Sequence, residues 1–577
     1  MMDLLTTTTT LGWAVGLGVT TLIVRFVLEL HAKRTRMRGL PGPPHSYLFG
    51  HILAMPPVLA SQPPNAAPQT YFQCVKEYYN LPDVFYFDPW PLGPQIMLIF
   101  NADMMHAVSV ATSLPKHPVT LDFMKNFGGP GNLVSSEGKE WKRWRSAFNP
   151  GFAPAQLMSM LPVVVDECQR FCDIMSTHAK NNDIIRLEQY ATNLTVNIIG
   201  KIVLDLDLKA WEGRNPLLTA FHSQVRWMQM GVQFQPSELW DIRRPIIQMY
   251  NNWKMARYLR GRLVERFASR DSRGKTNHVI DLALEIYLKE VKGTSGDTSD
   301  VKELDPEFMQ AAISNMKTFV FAGHDTTSST ICYALCYLSQ NPDMLARIRQ
   351  EHDDVFGPDV TKVGDQIRKD PILLNKLDYT LAVTKEVLRI QPPASTVRCA
   401  ASGSGFKLHN PDTGEDMVAD DFMIWPVSKS GPWAKIGSQD STDIVTCADV
   451  GMHRNPKYWP NPCKFDPDRF IQGSAVYDAN NKDAWIPFSK GIRNCIGQEL
   501  AIIETKAILA MTIRTFDFQI AYDEVGKLKG DGSAYPSRTD GILEQFGERA
   551  YQIQLGTAKP NEGMPCRLRL RKEVVPQ

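Results

Sequence analysis

A cysteine near the C-terminus has surroundings that suit a thiolate metal ligand. Cys495 lies in the segment 488–497, FSKGIRNCIG, directly before a run of helical character. The free N–H groups and the positive dipole end of a helix N-terminus both favour a thiolate. Gly491 and Gly497 allow the backbone to turn tightly around the sulfur, and nearby amides would moderate its electron donation to a metal. Arg493, two residues before the cysteine, can bind an anionic group.

This segment resembles the haem-binding loop of the cytochromes P-450. Five further segments agree with that family in the family's own order. They are Trp141-Lys142-Arg143-Trp144-Arg145, Ala322-Gly323-His324-Asp325-Thr326-Thr327, Glu386-Val387-Leu388-Arg389, Arg398 after Pro392-Pro393, and His453 through Phe470 with its ending Phe465-Asp466-Pro467-Asp468-Arg469-Phe470. One such motif alone is a weak signal, but the ordered set is specific, and it favours the membrane-bound eukaryotic type with its fungal members.

The resemblance implies haem b, iron protoporphyrin IX, as the cofactor, with Cys495 as the axial ligand of the iron. It places Trp141 and Arg145 one helical turn apart, facing a haem propionate, and makes Arg398 a ligand of a second propionate. The cofactor-binding residues that it implies are Cys495, Arg493, Trp141, Arg145, Arg398, Phe488, Gly491, Gly497, Ala322 and Gly323.

The segment around Thr326 resembles the oxygen-binding groove of that family. Ala322 and Gly323 lack bulk, so their helix can pass close over a flat cofactor and leave a notch for a diatomic ligand. There the Thr326 hydroxyl could hold water and relay protons, with Asp325 feeding the relay from the far side. A helical threonine also commonly bonds the carbonyl four residues earlier, and that alternative stays open. His324 points ~100° around the helix from Gly323, so we interpret it as packed, not as a second iron ligand.

Three charged residues resemble the Glu-Arg-Arg triad that supports the haem loop in the family. Glu386 and Arg389 are i, i+3 neighbours on one helix face, and Arg469 can close a buried charge network with them. We expect this structural triad to hold the fold and not to react. Loss of one partner would strand a buried charge.

The resemblance also implies partners. Lys139, Lys142 and Arg143 lie around their helix from the inward pair, and Lys490 lies beside the cysteine loop. These residues form either an ordinary solvated face or a docking surface for an acidic electron-donor flavoprotein. The expected donor is an NADPH-cytochrome reductase that carries the NADPH and flavin sites, with cytochrome b5 as a second candidate donor. No dinucleotide-binding motif such as G-x-G-x-x-G occurs in the chain itself.

The composition excludes several classes of protein. The 577 residues include 63 Lys+Arg against 62 Asp+Glu and 43% hydrophobic residues, which is ordinary for a globular protein and excludes disorder, collagen and a coiled-coil rod. A formal charge of +1 without a basic block gives no indication of nucleic-acid binding. Ten cysteines are too sparse for a disulfide scaffold, and we interpret the pairs Cys168/Cys172 and Cys332/Cys336 as buried small hydrophobes.

The N-terminus reads as a membrane anchor. Leu4 to Val24 carry no charge, and a helix of that length spans the ~30 Å hydrocarbon core. A cleaved signal peptide would place its basic residues before the apolar run, whereas here they follow it, so the body should face the cytosol. We predict a single-pass signal anchor of the endoplasmic reticulum over 1–38 (helix about 4–30), a Pro-rich hinge over 39–45 and a catalytic domain over 46–577.

The body is predicted to be mainly α with a minor β part, the cytochrome P-450 fold in which a long central helix passes over haem and the cysteine loop lies beneath it. The best-marked helix has Asp305 as N-cap and runs from Pro306 to about Gln340. Short strands are expected near Val84–Tyr86, Ile96–Ile99 and Tyr551–Leu555, and a surface loop over Lys292–Asp297.

Some regions are read through the resemblance alone. Substrate contacts would come from 106–131, 215–240 and 393–397, where Trp227, Met228, Met230, Phe234 and Val397 form an apolar set that suits a lipophilic small molecule. Lys429 to Ile444 reads as an insertion relative to the family, without an assigned place.

The resemblance implies a haem-thiolate monooxygenase that inserts one oxygen atom from O2 into such a molecule, by hydroxylation or epoxidation. Secondary-metabolite biosynthesis and fatty-acyl oxidation are the roles that it suggests. Two alternatives stay open: a haem-thiolate isomerase or dehydratase that needs no O2, against which the Asp325-Thr326 pair argues, and a non-catalytic haem-binding protein.

Overall fold

Most of the chain is helical, as its apolar periodicity predicts. The computed structural model describes all residues except 1, 64, 119, 121–123, 125–126, 214, 229–240, 271–277, 296–302, 401–403, 420–443, 448, 528–542 and 572–577. The helices are α1 (Met2–Arg36), α2 (Met55–Ala60), α3 (Tyr71–Tyr78), α4 (Ala102–His106), α5 (Gly138–Phe148), α6 (Pro154–Ser159), α7 (Leu161–Asn181), α8 (Leu187–Leu204), α9 (Pro216–Trp227), α10 (Arg243–Ala268), α11 (Val279–Ser295), α12 (Pro306–Gln340), α13 (Pro342–Phe356), α14 (Val363–Lys369), α15 (Asp378–Ile390), α16 (Asp449–His453) and α17 (Gln498–Thr512).

The strands form small sheets around the helices. They are β1 (Val84–Phe87), β2 (Ile96–Ile99), β3 (Ile184–Arg186), β4 (Val397–Cys399), β5 (Lys407–Asn410), β6 (Glu415–Val418), β7 (Ile444–Cys447), β8 (Phe516–Ile520), β9 (Gln552–Leu555), β10 (Thr557–Pro560) and β11 (Pro565–Leu570). One sheet has the order β1-β2-β7-β4, with β2 and β7 parallel, and another has the order β3-β11-β8. The pairs β9/β10 and β5/β6 are antiparallel. The mainly α prediction with a minor β part is confirmed.

Helix α12 crosses the interior of the body and has the ends predicted for it. Asp305 caps its N-terminus, because the Asp305 carboxylate accepts a hydrogen bond of 2.8 Å from the N–H of Phe308. Most of its side chains are buried, on every face of the helix, as expected for a helix that neighbouring elements surround. The largest apolar cluster packs around it, and it includes α8 and α17.

The N-terminal helix α1 is joined firmly to the body at its C-terminal end. One stretch of it, Trp13–Arg36, is long and apolar enough to cross a membrane, which by itself is weak evidence for an anchor. Arg34 is 2% exposed, and its guanidinium donates to Asp88 Oδ2 at 2.6 Å and to the carbonyl of Trp90 at 2.7 Å. The ring of Phe26 stacks on Trp90 with centroids 5.0 Å apart. The segment 37–45 is non-helical.

Two sequence predictions about loops have different outcomes. The surface loop expected over Lys292–Asp297 is wrong in its first part, because α11 continues to Ser295. Its helical hydrogen bonds outweigh the weak helix propensity of Gly293-Thr294-Ser295. The insertion predicted over Lys429–Ile444 lies outside the described residues except for Ile444, which begins β7.

Candidate functional site

A cavity of about 380 Å³ lies between the middle of α12 and the cysteine loop. Cys495 opens into it on one side, and Ala322 and Thr326 of α12 line it on the other. Most of the remaining lining is apolar, and it includes Met124, Leu133, Val134, Phe319, Phe321, Leu388, Val397 and Phe488. A concave apolar space with a few convergent polar groups is the usual form of a small-molecule site.

The loop that carries the cysteine turns tightly before α17. A single 3-10 turn, Gly491–Arg493, precedes Cys495, whose N–H donates to the carbonyl of Phe488 at 2.9 Å. Burial raises the pKa of the Cys495 thiol above its ordinary value, whereas the Gly497 N–H, Arg145 and Lys116 act in the opposite direction. The Gly497 N–H and the two cations therefore favour the thiolate, whereas burial opposes them and has the larger effect.

Gly491 has the backbone that the tight turn requires. Its φ is +74°, in the left-handed region that favours glycine, and a Cβ there would lie 2.2 Å from the carbonyl oxygen of Ser109. The second glycine of the loop, Gly497, has an ordinary φ of −89°. The two predicted glycines therefore act differently: Gly491 permits the turn, and Gly497 leaves its N–H close to the sulfur.

Predicted cationic residues gather at one edge of the cavity. Arg145 donates to the backbone oxygen and to Oδ1 of Asn494 at 2.7 and 2.8 Å. The Arg493 guanidinium lies 4.4 Å from the ring centroid of Trp141 and donates to Glu137 at 3.0 Å. All three predicted residues, Trp141, Arg145 and Arg493, line the cavity.

Lys116 also belongs to this edge and was not predicted. It lines the cavity and forms a backbone bridge with Arg398 of β4. Burial, together with repulsion from Arg398 and Arg493, lowers the pKa of Lys116 to about 7. No motif contains this lysine, and only the fold brings it to the site.

The donors at this edge fit the carboxylate groups of a haem. Arg398 is 1% exposed and Arg493 is 9% exposed, yet Arg398 Nε and Arg493 Nη1 have no hydrogen-bond partner among the described residues. A buried guanidinium N–H without an acceptor favours an anionic group nearby, even where other nitrogens of the same side chain are bonded. The sulfur of Cys495, a type of atom that can bind iron as a thiolate, lines the same cavity. The residues therefore suit a flat, dianionic metal cofactor.

The α12 groove differs in part from the prediction. Ala322 and Thr326 line the cavity, and the Thr326 hydroxyl donates to the carbonyl of Ala322 at 2.9 Å, which is the bond that the sequence left open as an alternative. Gly323 does not make the notch that we predicted, because a Cβ at Gly323 would lie 2.6 Å from Ile199 Cδ1 of α8. Its missing side chain allows close packing of two helices.

Asp325 and His324 are buried behind the groove. Asp325 is 0% exposed, and its carboxylate accepts hydrogen bonds from the N–H and hydroxyl of Thr557, both at 2.9 Å. His324 is 1% exposed, and its Nδ1 lies 2.6 Å from the carbonyl oxygen of Val320. The ring of Phe221 packs edge-on against His324. His324 is thus a packed histidine.

The structure brings Glu386, Arg389 and Arg469 together. Arg389 donates to both carboxylate oxygens of Glu386, at 2.7 and 2.8 Å, and to the carbonyl of His453 at 2.6 Å. Arg469 Nε lies 3.4 Å from Glu386 Oε1, and the N–H of Asp466 donates to the same oxygen at 2.9 Å. Glu386 and Arg389 are fully buried.

The predicted substrate contacts agree only in part with the cavity. Val397 lines it, but Trp227 and Met228 lie outside the lining formed by the described residues. The ring of Trp227 packs under the guanidinium of Arg243 of α10 instead. Met230 and Phe234 lie outside the described residues. Sequence reasoning missed the tip of the β9/β10 hairpin, which contributes Gln554, Gly556 and Thr557 to the lining.

The predicted docking residues are partly paired within the chain. Arg143 forms an ion pair with Glu290 of α11, and Lys490 contacts Asp483 at 2.6 Å. Lys139 and Lys142 are exposed on α5. Of the four residues predicted for a docking surface, Lys139 and Lys142 are therefore the two that form an exposed cationic surface.

Comparison with known proteins places these features in one family. The sequence profile described as cytochrome P-450 matches residues 40–406 and 442–537. The chain is 36% identical over 570 residues, 97% of its own length and 96% of the relative's, to the cytochrome P-450 monooxygenase polC of Polytolypa hystricis. It is 33% identical over 525 residues, 88% of its length and 98% of the relative's, to the cytochrome P-450 monooxygenase acrF of Aspergillus aculeatus. The monooxygenase ptmG of Penicillium ochrochloron is 24% identical over 523 residues, 89% of each chain.

Proposed function

The chain belongs to the cytochrome P-450 family, and from that premise we propose that it inserts one oxygen atom of O2 into a lipophilic small molecule, by hydroxylation or epoxidation. It is a haem-dependent oxidoreductase of the monooxygenase class. The fungal monooxygenases among its relatives support a role in secondary metabolism, with fatty-acyl oxidation as the other role considered.

The observation that carries this proposal is the apolar cavity with Cys495 on one side and Thr326 on the other. Bound haem b would supply an iron that activates O2 and oxidises C–H or C=C bonds. Cys495 would bind that iron, while Arg145, Arg398 and Arg493 would hold the propionates. The apolar lining would hold the substrate by burial and keep water away from it.

Thr326 would deliver protons at the groove. Its hydroxyl reaches the cavity, and rotation about its side chain would exchange the bond to Ala322 for one to a water molecule. Asp325 would feed this relay from behind. To pass a proton on, its carboxylate would have to give up its hydrogen bonds from Thr557.

Replacing Thr326 with alanine is expected to uncouple electron consumption from product formation. A positioned proton-transfer group contributes about 10²–10⁴-fold, so product per NADPH should fall by about tenfold or more while peroxide release rises. Oxygen, NADPH and peroxide are measured together with reconstituted enzyme. Thr326→Ser should retain coupling, and Thr512→Ala, which removes the same kind of i−4 bond on α17, should behave as wild type. Unchanged coupling in Thr326→Ala would refute the proposed proton relay.

Electrons would come from NADPH through a separate flavin-containing NADPH-cytochrome reductase, with cytochrome b5 as a second donor. The exposed Lys139 and Lys142 on α5 are the surface proposed for docking. The anchor helix would place the body on the cytosolic face of the endoplasmic reticulum membrane, because Arg25, Lys33 and Arg34 follow the apolar stretch.

Reversing the charge of Lys142 is expected to slow reduction by the reductase. Electrostatic steering raises association rates by 10-fold or more, so Lys142→Glu should reduce the rate by about tenfold at low ionic strength and flatten its salt dependence. Stopped-flow reduction under carbon monoxide gives the rate. Lys180→Glu changes another exposed lysine, at the end of α7, and serves as the control. Equal rates in the Lys142 variant and the wild type would dismiss this docking surface.

The experiment that tests the proposed function uses ¹⁸O2. Membranes that contain the chain and a reductase are supplied with NADPH and a lipophilic extract, and products are analysed by mass spectrometry. A monooxygenase gives NADPH-dependent products that carry one labelled oxygen. Conversion of a peroxide without NADPH or O2 would support the isomerase or dehydratase alternative, and haem binding without any conversion would support the non-catalytic one.

A further inference from the structure

A buried lysine joins the C-terminal hairpin to two helices behind the cavity wall. Lys559 of β10 is 6% exposed. Its Nζ lies 2.7 Å from Glu188 Oε1 of α8 and 2.6 Å from Asp325 Oδ1 of α12. Such a group of charges is stable only while its members stay paired, because each lone charge would be costly away from water. Lys559 therefore connects three segments that are distant in the sequence.

The charges around Lys559 are well defined. Burial opposes the charge on Lys559, yet Asp325 and Glu188 raise its pKa above the ordinary value. Burial also lowers the pKa of His222 to about 4 and that of His324 to about 4. Both histidines are therefore neutral near pH 7, and Lys559 is the cation that faces the two acids among the described residues.

The Asp325 carboxylate also fixes the tip of the hairpin. Asp325 Oδ2 accepts hydrogen bonds from the N–H and the hydroxyl of Thr557 at 2.9 Å each. Gly556, the residue between β9 and β10, has a φ of +80°, and a Cβ there would lie 2.7 Å from Asp325 Oδ2 and 3.0 Å from Val225. The tip thus packs directly on the carboxylate that Lys559 holds.

This tip is part of the cavity wall, whereas Lys559 is not. Gln554, Gly556 and Thr557 line the cavity. The next residue, Ala558, is held by its own hydrogen bonds: its N–H donates to the carbonyl of Pro393 at 2.9 Å, and its carbonyl accepts from the Ser329 hydroxyl at 3.0 Å. Ala558 is therefore fixed independently of Asp325, whereas Gly556 and Thr557 at the tip depend on Asp325.

We propose that Lys559 is a positioning residue for the cavity wall: by holding the Asp325 carboxylate, it fixes the Gly556–Thr557 tip and so limits the size of ligand that the cavity accepts. The proposal rests on the proposed function only in taking this cavity as the ligand site. Lys559 contacts neither ligand nor cofactor and acts through Asp325.

The test uses the haem-loaded full chain with Lys559→Met and, as a variant that keeps every charge, Thr557→Val. Hydrogen–deuterium exchange is followed in the peptide that covers 552–560. Spectral titrations give dissociation constants for imidazole, a phenylimidazole and a biphenylimidazole. Lys506→Met is the matched control, because Lys506 is also 6% exposed and its Nζ donates, within the described part of the chain, to the carbonyl of Leu374 alone, at 2.9 Å.

Lys559→Met is expected to raise the exchange rate of the hairpin tip by about tenfold, and to improve binding of the largest azole relative to imidazole. Thr557→Val should act in the same direction with a smaller effect, and Lys506→Met should leave both readouts unchanged. Unchanged tip exchange and azole selectivity in Lys559→Met and Thr557→Val would overturn the proposal; if Lys559→Met does not fold, an unchanged Thr557→Val alone overturns it. Tip exchange does not depend on turnover, so it separates this inference from a failure of the proposed monooxygenase activity.

Discussion

Replacing Glu386 with alanine is expected to yield protein without haem. Glu386 is fully buried, holds Arg389 through two short hydrogen bonds and lies 3.4 Å from Arg469 Nε. Removing it would leave two guanidinium groups without their carboxylate, at a cost of about 3–5 kcal/mol. The N–H of Asp466 would also lose its acceptor. Haem content per protein and the thermal unfolding midpoint measure the result.

A surface pair of the same spacing provides the control for this prediction. Arg262 and Glu265 are also i, i+3 neighbours, with a contact of 2.8 Å, but their side chains are 40% and 57% exposed. Exposed pairs contribute about 0–1 kcal/mol, so Glu265→Ala should retain wild-type haem content. Glu386→Gln should fall between the two. Normal haem content in Glu386→Ala would show that the triad does not hold the haem loop.

Replacing Gly491 with alanine is expected to displace the cysteine loop. The left-handed backbone alone would cost about 1–2 kcal/mol with a side chain, and the new Cβ would lie 2.2 Å from the backbone oxygen of Ser109. Backbone cannot move aside as a flexible side chain can, so the loop must shift. Spectra of the purified variant should show little thiolate-ligated haem.

Gly497 offers the matched control in the same loop. Its φ is −89°, and among the described residues a Cβ there would come within 4 Å only of Cys495 Sγ, at 3.9 Å. Gly497→Ala is therefore expected to bind haem with the thiolate spectrum of the wild type. If Gly491→Ala matched Gly497→Ala in haem content and spectrum, the positive φ and the close approach to Ser109 would not be requirements of the loop.

Local signals predicted much of the fold. The cap at Asp305 and the prolines at its two ends define α12 from Pro306 to Gln340, because such signals act within one turn. The apolar runs that become β1, β2 and β9 were also recognised. The sheet β3-β11-β8 was not, because β3 has only three residues and pairs with β11 across hundreds of positions, Arg186 with Pro565.

The site was predictable where a motif has local spacing. Cys495, Thr326 and the Glu386/Arg389 pair belong to such motifs; the structure places Cys495 and Thr326 at one cavity and pairs Glu386 with Arg389. Lys559 has no motif, and its partner Glu188 is 371 positions away. Gly323 shows the converse error: a missing side chain has the same appearance in a sequence whether it faces a cofactor or, as here, Ile199.

The central claim is that Cys495 is the thiolate ligand of a haem in this cavity, and the reduced, carbon-monoxide-bound absorption spectrum tests it most directly. Membranes that contain the wild-type chain are compared with membranes that contain Cys495→Ala. We predict a strongly red-shifted Soret band in the wild type and its loss in the variant, because Cys495 would supply the thiolate that ligates the haem iron. A band typical of histidine-ligated haem in the wild type, or a red-shifted band that survives in Cys495→Ala, would contradict the claim.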